Sequence, residues 1–148
     1  MRSFLILVVA ALALAACGDD QQRSTAERVV QVGEATVLAD IAGDAESRQR
    51  GLSGRESLDE REGMLFLLAN DSPSFWMKGM RFAIDIVWIR DGRVVDVTAD
   101  VPPPRGSNAS LPTYSPDRPA NRALEVSAGW AAEHGITRGD VVRVRRGQ

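Results

Sequence analysis

Apolar side chains are densest in residues 63–89, and their arrangement there predicts the strands of a sheet. Residues 63–69 are apolar at almost every position, which is typical of a strand that is buried on both faces. Residues 74–77 and 84–89 are further runs rich in aromatic and β-branched side chains, which strands favour. We therefore expect this region to supply the centre of the fold.

Shorter runs of the same kind lie on either side of this centre. They predict strands over residues 29–32, 35–41, 121–127 and 141–145. Two short helices are predicted at residues 44–52 and 129–134, the first with Asp44 as its N-cap and either Gly51 or Gly54 able to end it. Many short strands with two short helices indicate a mainly β fold with short helices (α+β), either an antiparallel β sandwich or a partly closed barrel.

The dipeptide Asp91-Gly92 lies between two β-rich runs and predicts a hairpin with a two-residue turn. A turn of that length fixes the pairing of the two strands, and one face of the hairpin is then apolar. The predicted pairs are Arg90 with Arg93, Trp88 with Val95, Ile86 with Val97 and Ile84 with Ala99, and on the opposite face Asp85 with Thr98.

The first residues predict a secretion signal of the lipoprotein type. A positively charged start is followed by an apolar run over residues 4–13, which is too short to span a bilayer comfortably, and small residues precede Cys17. We predict a lipoprotein signal peptide at residues 1–16, lipid attachment at Cys17 and a flexible polar tether at residues 17–28. Residues 29–148 then form a single mainly β domain.

This signal predicts a protein that is anchored in a membrane of the cell envelope and faces the periplasm. By resemblance to known sorting signals, an aspartate directly after the lipidated cysteine favours the inner membrane. Here Gly18 separates Cys17 from Asp19, so both the inner and the outer membrane stay open. The expected partners are the membrane itself and either a small polar molecule or an envelope protein.

The charges of the chain exclude some classes of function. The sequence has 18 Lys and Arg and 20 Asp and Glu, a net charge of -2, and the two signs are mixed along it. Because there is no basic stripe, we expect no nucleic-acid partner. Cys17 and His134 are the single cysteine and histidine, and no spacing around them predicts a metal site. Sequence patterns for phosphate and dinucleotide loops are also missing, so we expect no cofactor.

The candidate chemistry comes from charged and aromatic side chains near the apolar centre. The predicted site residues are Arg50, Trp76, Lys78, Asp85, Tyr114 and Glu125. Asp85 and Glu125 stand within apolar strands, and Lys78 is the only lysine. Two interpretations are open. Strand alternation turns both carboxylates towards water, or the six side chains meet in one pocket, where aromatic rings stack on a ligand and charged groups bind it.

On the second interpretation, the domain binds a small polar ligand or an envelope partner. The first alternative is an enzyme, a metal-free hydrolase or lyase in which Asp85 and Glu125 form an acid/base pair with carboxyls about 5 to 10 Å apart. The second alternative is a structural adaptor in which Lys78 and Asp85 form a buried ion pair. The residues alone leave all three open.

The chain carries several ordered motifs: Arg48-Gln49-Arg50-Gly51-Leu52, Gly63-Met64-Leu65-Phe66, Phe75-Trp76-Met77-Lys78, Ile84-Asp85-Ile86 and Leu124-Glu125-Val126. Together they resemble the family known as domain of unknown function 192. The resemblance covers residues 37–144 and implies a mainly β, sandwich-like domain with small helices, often exported, without an assigned activity. Ser53 stands where the family usually has a methionine, and the proline-rich loop lacks a cysteine pair that many members carry.

Overall fold

The computed structural model describes residues 27–105 and 111–147 of the chain. The predicted signal peptide, the predicted lipid attachment at Cys17 and nearly all of the predicted tether lie outside these described residues. Arg28, the last residue of the predicted tether, already belongs to the first strand. Within the described part of the chain, no helix is long and apolar enough to cross a bilayer.

The described residues form nine strands and two short helices. In chain order they are β1 (Arg28–Val32), β2 (Ala35–Ala42), α1 (Ala45–Arg50), β3 (Glu62–Leu67), β4 (Phe75–Trp76), β5 (Ile84–Arg90), β6 (Arg93–Val101), β7 (Thr113–Tyr114), β8 (Arg122–Ser127), α2 (Trp130–Glu133) and β9 (Val142–Arg146). Seven strands form one sheet in the order β6-β5-β8-β3-β2-β1-β9, and β4 pairs with β7 in a second, small sheet. The predicted mainly β fold with short helices is confirmed.

The large sheet curls into a half-barrel, so that its two edge strands, β6 and β9, approach each other. Arg93 at the start of β6 bridges Val141 just before β9, and the Val142 N–H donates to the Gly92 carbonyl at 2.8 Å. This is the partly closed barrel of the sequence prediction. One strand pair departs from the antiparallel prediction, because β2 and β3 run parallel with α1 in the connection between them.

The two faces of the curled sheet carry two separate apolar cores. The first core packs the sheet against α2, and its members include Val30, Val37, Leu65, Val87, Leu124, Val126 and Trp130. The second core lies on the opposite face under the loops, and its members include Leu52, Met64, Phe66, Met77, Ile86 and Trp88. Strand β5 is buried from residue 84 to residue 89 because it contributes to both cores.

Helix α1 begins after Asp44 as the sequence predicts, and of the two glycines that could end it, Gly51 does so. The Asp44 carboxylate accepts a hydrogen bond from the Ser47 N–H at 2.8 Å, and the Ser47 hydroxyl accepts one from the Asp44 N–H at 3.2 Å. Arg48 and Arg50 in the last turn suit the negative end of the helix dipole. Gly51 then ends the helix with a positive φ of 51°.

The turn of the β5–β6 hairpin is also confirmed, but the register beyond it is not. Asp91 and Gly92 have positive φ angles of 49° and 76°, as the favoured two-residue turn requires, and Arg90 pairs with Arg93. The remaining pairs are Ile89 with Val94, Trp88 with Asp96, Val87 with Val97, Ile86 with Thr98, and Ile84 with Val101. All predicted pairs other than Arg90 with Arg93 are therefore wrong.

Two irregularities in β6 cause the difference in register. The first leaves Val95 as an extra residue between the partners of Trp88 and Ile89, and the second lies near Asp100, whose φ is 51°. The Trp88 indole N–H donates to the Thr98 hydroxyl at 2.9 Å across the shifted ladder. Because both faces of β5 are buried, its apolar pattern could not distinguish one register from the next.

Candidate functional site

A cavity of about 280 Å³ opens on the face of the sheet that carries the second core. Helix α1 and the loop after it form one wall, β4 and the loop after it form the other, and β3 and β8 contribute the base. The main apolar lining residues are Leu52, Phe66, Phe75, Trp76 and Met80, and the charged ones are Arg48, Arg50, Lys78 and Glu125. The cavity therefore combines an aromatic wall with charged groups.

Glu125 lies at the centre of the sheet on β8, where it pairs with Met64 of β3 and Ile86 of β5. Both neighbours belong to the second core, so the Glu125 side chain projects into apolar surroundings at the base of the cavity. The residue is only 7% exposed. Within residues 27–105 and 111–147, no group forms a hydrogen bond or an ion pair with its carboxyl.

Burial decides the protonation state of Glu125. Desolvation raises the pKa of Glu125 to about 8, and the positive charge of Arg55 opposes this rise. Arg55 is itself paired with Asp40, at an N–O distance of 2.5 Å. At neutral pH the Glu125 carboxyl therefore holds its proton, so it can donate one hydrogen bond into the cavity and accept others.

The aromatic side of the cavity is a packed set of rings. The Phe75 ring centroid lies 4.9 Å from that of Phe66 and 5.1 Å from that of Trp88. A Cβ at Gly51 would lie 3.3 Å from the Phe66 ring. A glycine with positive φ thus lets the end of α1 lie directly against Phe66 of β3.

Two exposed cations stand where the cavity meets solvent. The Lys78 Nζ lies 5.5 Å from the ring centroid of Trp76, which is 51% exposed. The Arg50 guanidinium forms an ion pair with Glu46 one turn earlier in α1, at 3.4 Å. Because both partners of this pair are largely exposed, the pair is weak, and Arg50 can turn to a ligand at little cost.

Arg48, the third cation, holds α1 in place. Its Nη1 donates to the Gly43 carbonyl at 2.6 Å and to the Leu67 carbonyl at 3.2 Å. Gly43 directly follows β2, and Leu67 ends β3. The Arg48 side chain therefore ties the helical wall of the cavity to both strands of the parallel pair.

Asp85 has a different environment from Glu125. Its carboxylate is fully buried and accepts hydrogen bonds from the N–H groups of Asp100 at 2.9 Å, Gly129 at 3.2 Å and Ala131 at 2.9 Å. These bonds join β5 to the irregular end of β6 and to the start of α2. Asp85 does not line the cavity, so the structure gives it a role in holding these elements together.

The pairing of β5 with β8 separates the two carboxyls. Asp85 pairs with Val126 while Ile86 pairs with Glu125, so the two acidic side chains leave the sheet on opposite faces. The predicted acid/base pair of Asp85 and Glu125 is therefore not formed. The predicted ion pair of Lys78 and Asp85 is not formed either, because Lys78 is exposed beside Trp76 while Asp85 bonds to backbone groups.

Four of the six predicted site residues come together in the cavity: Arg50, Trp76, Lys78 and Glu125. Tyr114 does not line it. This residue pairs with Phe75 in the β4–β7 ladder and packs against the second core. The prediction that all six side chains meet in one pocket is therefore wrong for Asp85 and Tyr114.

Sequence reasoning missed Arg48, Phe66 and Phe75 as lining residues. One signal for Phe66 was present, since it follows Met64 by two positions and shares its face of β3. Pairing β3 with β8 then places Glu125 on that same face. Those strands are far apart along the chain, however, and no local pattern reveals that they are neighbours.

The charged groups of the cavity suit an organic ligand better than a metal ion. Its lining has three cations and one carboxyl, whereas hard metal ions prefer several oxygen ligands. Among the described residues, no three His, Cys, Asp or Glu side chains are grouped as metal ligands.

Comparisons with known proteins place the chain among uncharacterised relatives. The model of family DUF192, described as "Uncharacterized ACR", matches residues 28–144. A crystal structure titled as a putative transcription regulator from Sinorhizobium meliloti 1021 has a TM-score of 0.71 at 23% identity, covering 82% of this chain and 95% of that chain. A protein of unknown function from Novosphingobium aromaticivorans DSM 12444 has a TM-score of 0.68 at 27% identity, covering 79% and 83%. A search of curated proteins found no match.

Proposed function

This chain belongs to the family of domain of unknown function 192, and we propose that it binds a small polar organic molecule in the cavity above Glu125. The observation that carries the proposal is the buried Glu125 carboxyl, which faces the cavity and has no partner among the described residues. A ligand that accepts its proton in a hydrogen bond would satisfy it.

The energetics of Glu125 support a binding role over a packing role. Burial among apolar side chains makes the ionised form of Glu125 unfavourable, and this desolvation raises its pKa. Its strand neighbours Met64 and Ile86 are apolar, so an apolar side chain of similar size would pack against them without this cost. Groups that are unfavourable for folding are concentrated at sites that serve a ligand or a reaction.

The shape of the cavity supports the same function. Its volume of about 280 Å³ is near the lower end of the range for small-molecule sites, about 300–1,000 Å³. A small set of polar groups on a mainly apolar and aromatic lining is the usual composition of such sites. The exposed Trp76 and the Phe75 ring offer flat surfaces for a ligand to contact.

Fluorine NMR of the full chain in non-ionic detergent, labelled with fluorotryptophan, tests the proposal. Of the three tryptophans, Trp76 lines the cavity, whereas Trp88 and Trp130 are buried in the two cores. A screen of small organic fragments should give ligands that shift the Trp76 resonance alone, assigned with Trp76→Phe. If no fragment shifts Trp76, or if fragments shift all three resonances equally, the cavity is not a binding site.

We also propose that the domain is a lipoprotein, anchored through Cys17 to a membrane of the envelope and facing the periplasm. The apolar run before Cys17 and the small residues next to it support this placement. Replacing Cys17 by serine should move the protein from the membrane fraction to the soluble periplasmic fraction. Equal amounts of Cys17→Ser and native protein in washed membranes would contradict the anchor.

A further inference from the structure

The charges around the cavity narrow the choice of ligand. We propose that the cavity selects a small planar organic anion, which places its anionic group at Arg50 and Lys78 and a hydrogen-bond acceptor at its opposite end against Glu125. The ligand class refers to the same cavity, so this proposal rests on the proposed function.

The sign of the ligand charge follows from the charged lining residues. Arg50 and Lys78 are exposed where the cavity meets solvent, and only Arg50 has an acidic partner among the described residues, the exposed Glu46. The cavity therefore presents a positive potential to an entering molecule. A cationic ligand would have to lie beside these charges and would need Glu125 to ionise within the second core.

The shape of the ligand follows from the walls. Phe75 packs between Phe66 and Trp88 with its ring plane tilted by 58° and 65° from theirs, so this side of the cavity consists of packed aromatic rings. The opposite wall is the end of α1, held close to Phe66 by Gly51. Aromatic rings pack favourably against other rings, so this lining favours a ligand with a planar aromatic body and polar groups at its two ends.

The orientation of the ligand follows from the depths of the polar groups. Glu125 is 7% exposed at the base, whereas Arg50 and Lys78 are exposed at the opening. An anionic group gains from the cations and loses from any negative charge on Glu125, so the anion lies outward. The inward end then accepts the Glu125 proton through a carbonyl or ether oxygen.

A matched set of three probes tests the sign of the charge. Benzoate, benzamide and benzamidinium have nearly the same size and differ in charge, and the shift of the Trp76 fluorine resonance reports the binding of each. Benzoate should bind best, and we expect it to bind about tenfold more tightly than benzamidinium because two cations change from attraction to repulsion.

Single charge removals localise the anionic group. Arg50→Ala and Lys78→Ala should each weaken benzoate binding about two- to fivefold, as expected for partly exposed ion pairs, and should leave benzamide binding nearly unchanged. Arg145→Ala is the matched control, because Arg145 is on edge strand β9 and does not line the cavity. This control should bind benzoate like the native protein.

A second pair of probes tests the acceptor at the inward end. para-Acetylbenzoate and para-isopropylbenzoate have similar shapes, but only the first carries a carbonyl oxygen. The native protein should prefer the acetyl compound by about fivefold, the value of one hydrogen bond. Glu125→Gln keeps a donor and should keep the preference, whereas Glu125→Met removes the donor and should abolish it.

The pH dependence of binding identifies Glu125 as that donor. The charged groups around it are Arg48, Arg50 and Arg55 from α1 and the following loop, and Lys78 from the loop after β4, whereas its strand neighbours Met64 and Ile86 are uncharged. With a pKa of about 8, Glu125 should lose its proton between pH 7 and pH 9, and the affinity for para-acetylbenzoate should fall about tenfold. Glu125→Gln should bind with little change over this range.

The possible results separate this inference from the proposed function. Tighter binding of benzamide or benzamidinium than of benzoate would overturn the inference while leaving the cavity as a binding site. Equal pH profiles for native protein and Glu125→Gln would remove Glu125 as the donor. Failure of all probes and of the wider fragment screen to shift Trp76 would overturn the proposed function itself.

Discussion

Replacing Glu125 by glutamine changes one titrating group at the centre of the sheet and little else. Glutamine has nearly the same size, still offers a donor to the cavity, and cannot ionise. In the native protein, burial raises the pKa of Glu125 from 4.5 to about 8. The substitution should therefore remove a specific dependence of stability on pH.

The sign of this dependence follows from proton binding. Between pH 4.5 and pH 8, the folded protein keeps the Glu125 proton while the unfolded chain has lost it, so the folded state binds more protons. The free energy of unfolding then falls as the pH rises, by up to about 1.4 kcal/mol per pH unit. The stabilising contribution is complete below pH 4.5 and has been lost by the time the pH exceeds about 8.

The size of the effect is large enough to measure. From pH 5 to pH 7.5, titration between these two pKa values removes about 3 kcal/mol of stability from the native protein. For a domain of this size, about 3 kcal/mol corresponds to a fall of roughly 10 °C in Tm. Glu125→Gln should not lose this stability. Its free energy of unfolding should therefore rise relative to that of the native protein by about 3 kcal/mol from pH 5 to pH 7.5.

Urea unfolding of the full chain in non-ionic detergent, followed by tryptophan fluorescence at several pH values, measures the difference. The control is Glu62→Gln, which removes an exposed carboxyl on neighbouring strand β3. The difference between Glu125→Gln and the native protein should change with pH by more than the difference for this control does. A constant difference between Glu125→Gln and the native protein from pH 5 to pH 7.5 would refute the assignment of Glu125 as a buried, protonated acid.

Two further substitutions test the supports of the cavity and the sheet. Asp85→Ala should destabilise the fold by about 3 kcal/mol or more, because it leaves the buried Ala131 N–H and the part-buried Asp100 and Gly129 N–H groups without their acceptor. Urea midpoints should show little change for the exposed Asp59→Ala. Gly51→Ala should lower stability by about 1–3 kcal/mol through strain at positive φ and pressure on Phe66. Gly54 also has a positive φ, but a Cβ there would meet no atom within 4 Å, so Gly54→Ala should lower stability less. Thermal melts of the two variants measure the difference.

The fold was predictable where a short stretch of chain carries the whole signal. Asp44 and Gly51 mark the ends of α1, and Asp91-Gly92 marks a turn, because capping and positive φ are local properties. The parallel pairing of β2 with β3 was not predictable in this way. It depends on how the chain returns to the sheet through α1, and no local sequence pattern in either strand identifies the strand beside it.

The residue types of the candidate site could be predicted from the sequence, but the face of the sheet on which each side chain lies could not. A carboxyl within an apolar strand marks both Asp85 and Glu125 as unusual, and the sequence gives them equal weight. Their environments differ, but the sequence does not show this. Strands β5 and β8 are both buried on two faces, so alternation alone does not show which face holds a cavity. Only the registers among β3, β8 and β5 separate the anchoring Asp85 from Glu125.

The bonds from Arg48 to the ends of β2 and β3 decide which side of the cavity can move. The helical side is fastened to two strands of the seven-stranded sheet, whereas the opposite side rests on a ladder of two residue pairs, β4 with β7. So short a ladder opens at low free energy, and its amide protons should exchange faster than those of β3 and β8. A ligand of the proposed site would then enter and leave by movement of β4 relative to the fixed helix α1.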